Sequence, residues 1–310
     1  MNSKEFKRLN AKCMEEWERK VGTKDIVLAA KDVFTNPTKL YSHSNPLESV
    51  KSKYDRDVSS RRGNYAEKVV FMVIKNDPRF KFLRECSNDE ESHSKLKLHI
   101  SIPASVNTLI ESIIAKASSE EKFITLKDKD ELRKVINLIY QKAYDALDVP
   151  ESEMIHYKQD LDIGFEDIET GNVYLYEVKY TGSFGGDVAW EHLRKYLRAF
   201  ADYVYKNKPA RDKIHTAMLL VKRDNPDSFR YLARGENGFI TFEDFCDTHN
   251  IDLTKDQINK LFLDITQIDD NEVANILDMF STLIQEDKDI LSRNTSDFLK
   301  KFANEFSIDL

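Results

Sequence analysis

Apolar positions along this chain recur with two different periods, and the change of period marks its organisation. From Phe6 to Val21 they return every three or four residues, at Phe6, Leu9, Cys13 and Trp17, which predicts a helix. The same spacing predicts helices over about 104–118 (Val106, Leu109, Ile110, Ile113, Ile114) and about 128–147 (Leu132, Val135, Ile136, Leu138, Ile139, Tyr140). A further helix is expected over Tyr65–Lys75, with Asn64 as its cap and Tyr65, Val69, Met72 and Val73 on its packing face. The stretch Thr35–Pro46 has two prolines and two asparagines and reads as a loop, and residues 85–98 are charged with turn character at Ser87–Asp89. Between 151 and 222 the period shortens. Leu161–Phe165, a polar turn Glu166–Asn172 and the strand-like Val173–Tyr180 predict a β-hairpin. A glycine-bearing loop 181–186, a helix 187–206 and a strand Ile214–Lys222 follow, and from about 241 the pattern is helical and acidic with no β-rich run.

The chain has 310 residues, 41% of them hydrophobic and 33% charged, which is enough apolar mass for a real core. With only 9 glycines and 7 prolines it is neither linker-rich nor a many-turned all-β protein. No apolar run reaches the roughly 18–20 residues of a membrane span, and Met1–Lys24 lacks a signal-like apolar stretch. A cytoplasmic protein with no membrane partner is expected. Three distant cysteines, Cys13, Cys86 and Cys246, offer no disulfide framework or paired-cysteine zinc site and read as buried thiols. The net charge of −7 is unevenly placed: residues 1–62 carry 14 Lys/Arg against 9 Asp/Glu, and residues 240–310 carry 6 against 16. Local patches of this kind, rather than the total, decide contact with nucleic acid, although ordinary solvated faces explain them equally well.

The hairpin carries the chemistry. Alternation over Val173–Tyr180 puts Val173, Leu175, Glu177 and Lys179 on one face, and Tyr174, Tyr176, Val178 and Tyr180 on the other. Two largely apolar faces imply a strand inside a sheet, where an acid and a lysine need partners. Across the turn, Asp160 and Asp162 share a face, and a folded hairpin brings Asp162 beside Glu177. Two adjacent carboxylates repel unless a cation or shared proton lies between them. Oxygen ligands without His or Cys favour Mg²⁺ over Zn²⁺, and Lys179 can assist a metal-activated water or stabilise a phosphorane-like transition state. The plainer alternative is a structural ion-pair cluster.

These residues resemble the PD-(D/E)XK nucleases. Asp162, fourteen intervening residues, then Glu177-Val178-Lys179 follows that family's pattern of an acid, a hairpin turn and (D/E)-x-K, although Leu161 replaces the proline that names it. Gly63-Asn64-Tyr65-Ala66-Glu67 is similar to the Gly-x-x-x-Glu element that many members place on an earlier helix. The resemblance implies an α/β fold with an αβββαβ core, a mixed central sheet flanked by helices, provided another short strand lies near 152–158. It implies Asp162, Glu177 and Lys179 as catalytic residues, and Asp162, Glu177 and Glu67 as ligands of Mg²⁺. The closest class is the type II restriction endonucleases, which act on double-stranded DNA as homodimers and commonly accompany a cognate DNA methyltransferase.

On that reading residues 1–62 are an N-terminal helix and basic segment. Residues 63–239 are the nuclease core, with a helical insert at about 79–150, and 240–310 are an acidic helical region. Phosphate contacts are expected from Lys51, Lys53, Arg56, Arg61 and Arg62 and, on the helix after the hairpin, from Arg194, Lys195 and Arg198. The glycine loop 181–186 can approach a phosphate but matches no Walker or dinucleotide pattern. Gly235–Phe245 is not a calcium loop, since registering Gly238 as its turn glycine puts Ala233 and Gly235 where carboxylates belong. His192 lies close to the proposed site but reads as a helix-surface histidine, and Trp190 and Tyr196 read as core. Two rival functions remain: a nuclease of repair, recombination or phage defence that recognises DNA structure or ends, and a non-catalytic helical interaction protein.

Overall fold

The computed structural model describes residues 3–18, 29, 46–83, 96–119, 126–147, 149–180, 186–221, 231–263 and 278. The elements in chain order are α1 (Ser3–Glu18), α2 (Pro46–Lys75), β1 (Phe80–Phe82), β2 (Leu96–Pro103), α3 (Ala104–Ser118) and α4 (Lys129–Tyr144). They continue with β3 (Met154–Leu161), β4 (Ile163–Asp167), β5 (Asn172–Lys179), α5 (Gly186–Asn207), β6 (Ile214–Leu220), β7 (Phe239–Thr241), α6 (Phe242–Thr248) and α7 (Lys255–Leu263). The protein is therefore mixed α/β. Residues 66–258 form one compact unit, and residues 2–65 with 259–310 form the other. No helix among the described residues is long and apolar enough to cross a membrane.

In the first unit the described strands form a five-stranded sheet in the order β1-β4-β5-β6-β7. The β1–β4 and β4–β5 pairs are antiparallel, and β5–β6 and β6–β7 are parallel. An antiparallel pair needs only the tight turn Ile168–Gly171, where Gly171 takes the left-handed φ of 68°. The parallel β5–β6 pair needs a crossover, which α5 supplies. β5 is central, and its alternate residues are buried on both faces, as its dense apolar sequence requires. On one face Val173 and Leu175 join Leu193, Tyr196, Leu197 and Phe200 of α5 in a core that extends to Ile110 and Ile113 of α3 and Ile136 and Ile139 of α4. Asp128 caps α4 by accepting from the amides of Asp130 and Glu131 at 2.9 and 3.0 Å.

Four expectations need correction. Asn64 does not begin a helix, because α2 runs unbroken from Pro46 to Lys75. No proline interrupts the charged run 51–62, and the helical Gly63 costs only about 1 kcal/mol relative to alanine. The segment 79–150 is not wholly helical: β1 belongs to the five-stranded sheet and β2 lies between it and α3. The strand expected near 152–158 exists as β3, but it pairs with β2 in a separate two-stranded sheet, Leu96 opposite Leu161 through Pro103 opposite Met154. After 238 the chain adds one more strand, β7, before turning helical. The bend before it depends on Gly238, where a Cβ would stand 2.0 Å from the Ala233 carbonyl oxygen. The loop 35–45, the turn 84–95 and nearly all of the tail from 264 lie outside the described residues.

The opposite face of the sheet is aromatic. Phe80, Phe165, Tyr174, Tyr176 and Phe245 surround His249, with ring centroids 4.4–6.0 Å from the imidazole. His249 is 3% exposed and pairs its Nε2 with the Tyr176 hydroxyl at 3.1 Å. Burial among these rings pushes its pKa down to about 4. The unfolded chain therefore takes up a proton at a higher pH than the folded one. Stability falls as pH drops from about 6.5 to about 4, by up to roughly 3 kcal/mol from this residue. His249→Phe should flatten that part of the stability–pH curve, measured by denaturant unfolding at closely spaced pH values. An unchanged slope would assign the acid sensitivity to other groups.

Candidate active site

The chain bends at Asp162 between β3 and β4, and this bend builds the site. Pairing of β4 with β5 starts at Ile163 opposite Tyr176, so Asp162 stands next to Glu177 just beyond the paired strands. There the Val178 amide has run past the end of β4 and donates to Asp162 Oδ2 at 2.9 Å. The carboxylate thus takes the place of a strand carbonyl. Alternation brings Lys179 round to the same face, where its Nζ donates to Asp162 Oδ2 at 3.1 Å, to Glu177 Oε1 at 2.9 Å and to the Val178 carbonyl at 2.9 Å. Asp162 and Glu177 are 3% and 1% exposed.

The opposite wall is α5. His192 places Nδ1 2.8 Å from Glu177 Oε1, and Lys195 holds Nζ 3.9 Å from the same oxygen. Glu177 Oε2 is buried and has no hydrogen-bond partner. Burial favours the neutral acid, but His192 and Lys179 outweigh it and hold the Glu177 carboxyl down at about 2. Burial also works against the Lys179 ammonium, yet Glu177 and Asp162 keep its pKa above the ordinary lysine value. At neutral pH Glu177 and Lys179 are both ionised, and the contacts described fall on one oxygen of each carboxylate.

The structure thus brings together Asp162, Glu177 and Lys179 as the strand pattern predicts. It brings Lys195, expected as a phosphate contact, to the rim and corrects the reading of His192, which faces inward rather than lying on the helix surface. The periodicity of α5 holds the signal that reveals this: Ala189, Leu193, Tyr196, Leu197 and Phe200 are buried, and His192 lies on their stripe, four residues before Tyr196. Glu67 is also buried, on α2. Among the described residues no three His, Cys, Asp or Glu side chains are arranged to hold a metal ion, so the site offers a carboxylate pair rather than an acidic triad.

The expected phosphate-binding residues divide. Arg194 pairs with Glu111 of α3 at 3.1 Å and with Glu191, and Arg198 pairs with Glu111 at 2.8 Å and lies 3.8 Å over the Tyr157 ring. Both are committed to holding α5 against α3 and β3. Lys53 and Arg62 are half-buried on α2. The side chains of Lys51, Arg56 and Arg61, the side chain of Asp160 and the loop 181–185 lie outside the described residues. No family model, curated protein or solved structure matches this chain.

The charge balance makes a prediction for the metal-free protein. Lys179→Met leaves two buried carboxylates facing each other without their cation, a loss on the order of 3–5 kcal/mol. The pH dependence should also reverse. In the wild type Glu177 contributes stability present above about pH 4.5 and lost toward pH 2. In the variant, burial and mutual repulsion raise the carboxyl pKa values, so acidification to about pH 5 should restore stability. Thermal melts in chelator across this range test it, and a variant that melts like wild type would remove Lys179 from the energetics of the site.

Proposed function

We propose that this chain is a Mg²⁺-dependent endonuclease with a PD-(D/E)XK-type core, hydrolysing phosphodiester bonds in double-stranded DNA at specific sequences as type II restriction enzymes do. One observation carries the reading: Asp162, Glu177 and Lys179 meet within hydrogen-bond distance where β4 and β5 part, on the face covered by α5. The antiparallel β1–β4–β5 ribbon, the crossover helix α5 and the parallel β6 agree with such a core. The donor set suits a hard divalent cation, because both acids offer only oxygen and Glu177 Oε2 has no partner of its own.

Asp162 and Glu177 are the residues that hold Mg²⁺. When bound, the metal supplies Lewis-acid stabilisation of phosphate charge and acidifies a water at neutral pH. Lys179 then shares its two carboxylates with a stronger cation, and its ammonium is available to the scissile phosphate, favouring the transition state over the ground state. Lys195, held only loosely by Glu177 at the rim, contacts a flanking phosphate. Cutting both strands of a duplex calls for two sites related by a dyad, so the working unit is a homodimer. A cognate methyltransferase protects host sites in such systems without forming a stable complex with the nuclease.

One observation favours a second reading: Lys179 already bridges both acids, as it would in a structural ion-pair cluster. Incubation with mixed DNA substrates, with and without Mg²⁺, separates these functions. Discrete plasmid fragments support site-specific cleavage, progressive loss supports a nuclease acting on ends, and intact DNA supports the non-catalytic protein. Asp162→Asn and Glu177→Gln should each lower single-turnover cleavage at least about 10²-fold in folded protein. Near-normal turnover in either variant would dismiss the proposed site. Lys195→Gln should weaken binding equally across sequences and flatten the slope of log affinity against log salt by roughly 0.9. An unchanged slope would return Lys195 to a structural role.

A further inference from the structure

We infer that His192 is a positioning residue that fixes the rotation of the Glu177 carboxylate and presents Oε2 to the divalent cation. The inference rests on the functional reading above, in which Glu177 is a metal ligand. His192 Nδ1 stands 2.8 Å from Glu177 Oε1, in ion-pair contact although its ring N–H is not aligned on that oxygen as a hydrogen bond. A carboxylate can only accept, so a small turn of the ring that completes the bond requires the hydrogen on Nδ1. With Lys179 Nζ donating at 2.9 Å and His192 Nδ1 in contact at 2.8 Å, Oε1 is approached from two sides, and Oε2 is left buried and unpartnered. The two contacts are not equivalent. Lys179 reaches Glu177 along a flexible four-carbon stem from the same strand and is shared with Asp162. His192 comes from a different element, with two side-chain torsions, and is 17% exposed. Its backbone is set by the packing of Ala189, Leu193 and Tyr196 against the sheet. When Lys179 shifts toward a phosphate, His192 is the contact that stays, able to complete its bond to Oε1. Donors behind a ligating group commonly govern metal affinity by 10–100-fold through orientation alone.

Side-chain length makes this testable apart from charge. The amide nitrogen of asparagine occupies the place of Nδ1, whereas that of glutamine approximates Nε2. Full-length wild type, His192→Ala, His192→Asn, His192→Gln and Glu177→Gln should be titrated with Mn²⁺ alone by calorimetry, with melting temperatures recorded in chelator. His192→Ala and His192→Gln are expected to bind Mn²⁺ at least about 10-fold more weakly, and His192→Asn to recover most of the wild-type affinity. Alanine binding like wild type, or asparagine and glutamine behaving alike, would overturn the inference. So would affinity losses that simply track lowered melting temperatures across the set. If Glu177→Gln binds Mn²⁺ as wild type does, the metal reading itself fails, a result distinguishable from failure of the His192 variants alone.

Discussion

Everything at the centre of the first unit depends on one ammonium group held between two buried carboxylates. Asp162 and Glu177 are almost wholly removed from water, and each alone would cost several kcal/mol to bury as an anion. Lys179 answers both with a single nitrogen, at 3.1 and 2.9 Å, and spends its third hydrogen on the Val178 carbonyl. Because its three donors are all used, two on its own strand and one on Asp162 at the neighbouring bend, the group has no reason to reach solvent. The fold can therefore place ionised groups next to its most apolar strand without giving up β5 as the sheet's middle.

The backbone shares in that arrangement. β4 stops pairing at Ile163, which leaves the Val178 amide without a strand carbonyl, and Asp162 supplies an oxygen in its place. The same side chain that helps form the acidic pair also finishes the hydrogen bonding of β5. Charge and backbone satisfaction are thereby tied to one residue, and this fixes the geometry more tightly than an ion pair between free side chains would. The second face of the strand is treated in the opposite way: Tyr174 and Tyr176 face rings and a neutral histidine, with no charged partner for either hydroxyl.

What the sequence revealed follows period and distance. Strand alternation placed Glu177 and Lys179 together, and the hairpin turn added Asp162, because these relations span fewer than twenty residues and depend on pleat and register alone. The helices 104–118 and 129–144 were legible from their apolar stripes. Pairing at long range was not. Phe80–Phe82 is too short to announce a strand, and nothing local says that β3 leaves the main sheet to pair with β2, some fifty residues earlier. Asn64 looked like a helix cap because capping chemistry is read from neighbours, whereas the helix continues wherever no residue forbids it. His192 was missed for another reason: a polar residue on an apolar stripe reads as surface until its partner across the gap is known.

That histidine bears on how the buried carboxylate is held. Lys179, His192 and Lys195 surround Glu177 Oε1, with nitrogens at 2.9, 2.8 and 3.9 Å, while Oε2 has no hydrogen-bond partner. A buried oxygen without a partner lowers stability, and an extra donor there would be an easy gain for the fold. In this structure the neighbouring nitrogens all face Oε1, so the carboxylate is lopsided, with one oxygen held and the other without a partner. A purely structural ion pair has no use for that asymmetry, since it is most stable when both oxygens are satisfied. A site that must receive a cation from outside does, because an oxygen already paired has first to be released. The unpaired Oε2 is thus the feature by which the functional and the structural readings of this cluster differ most.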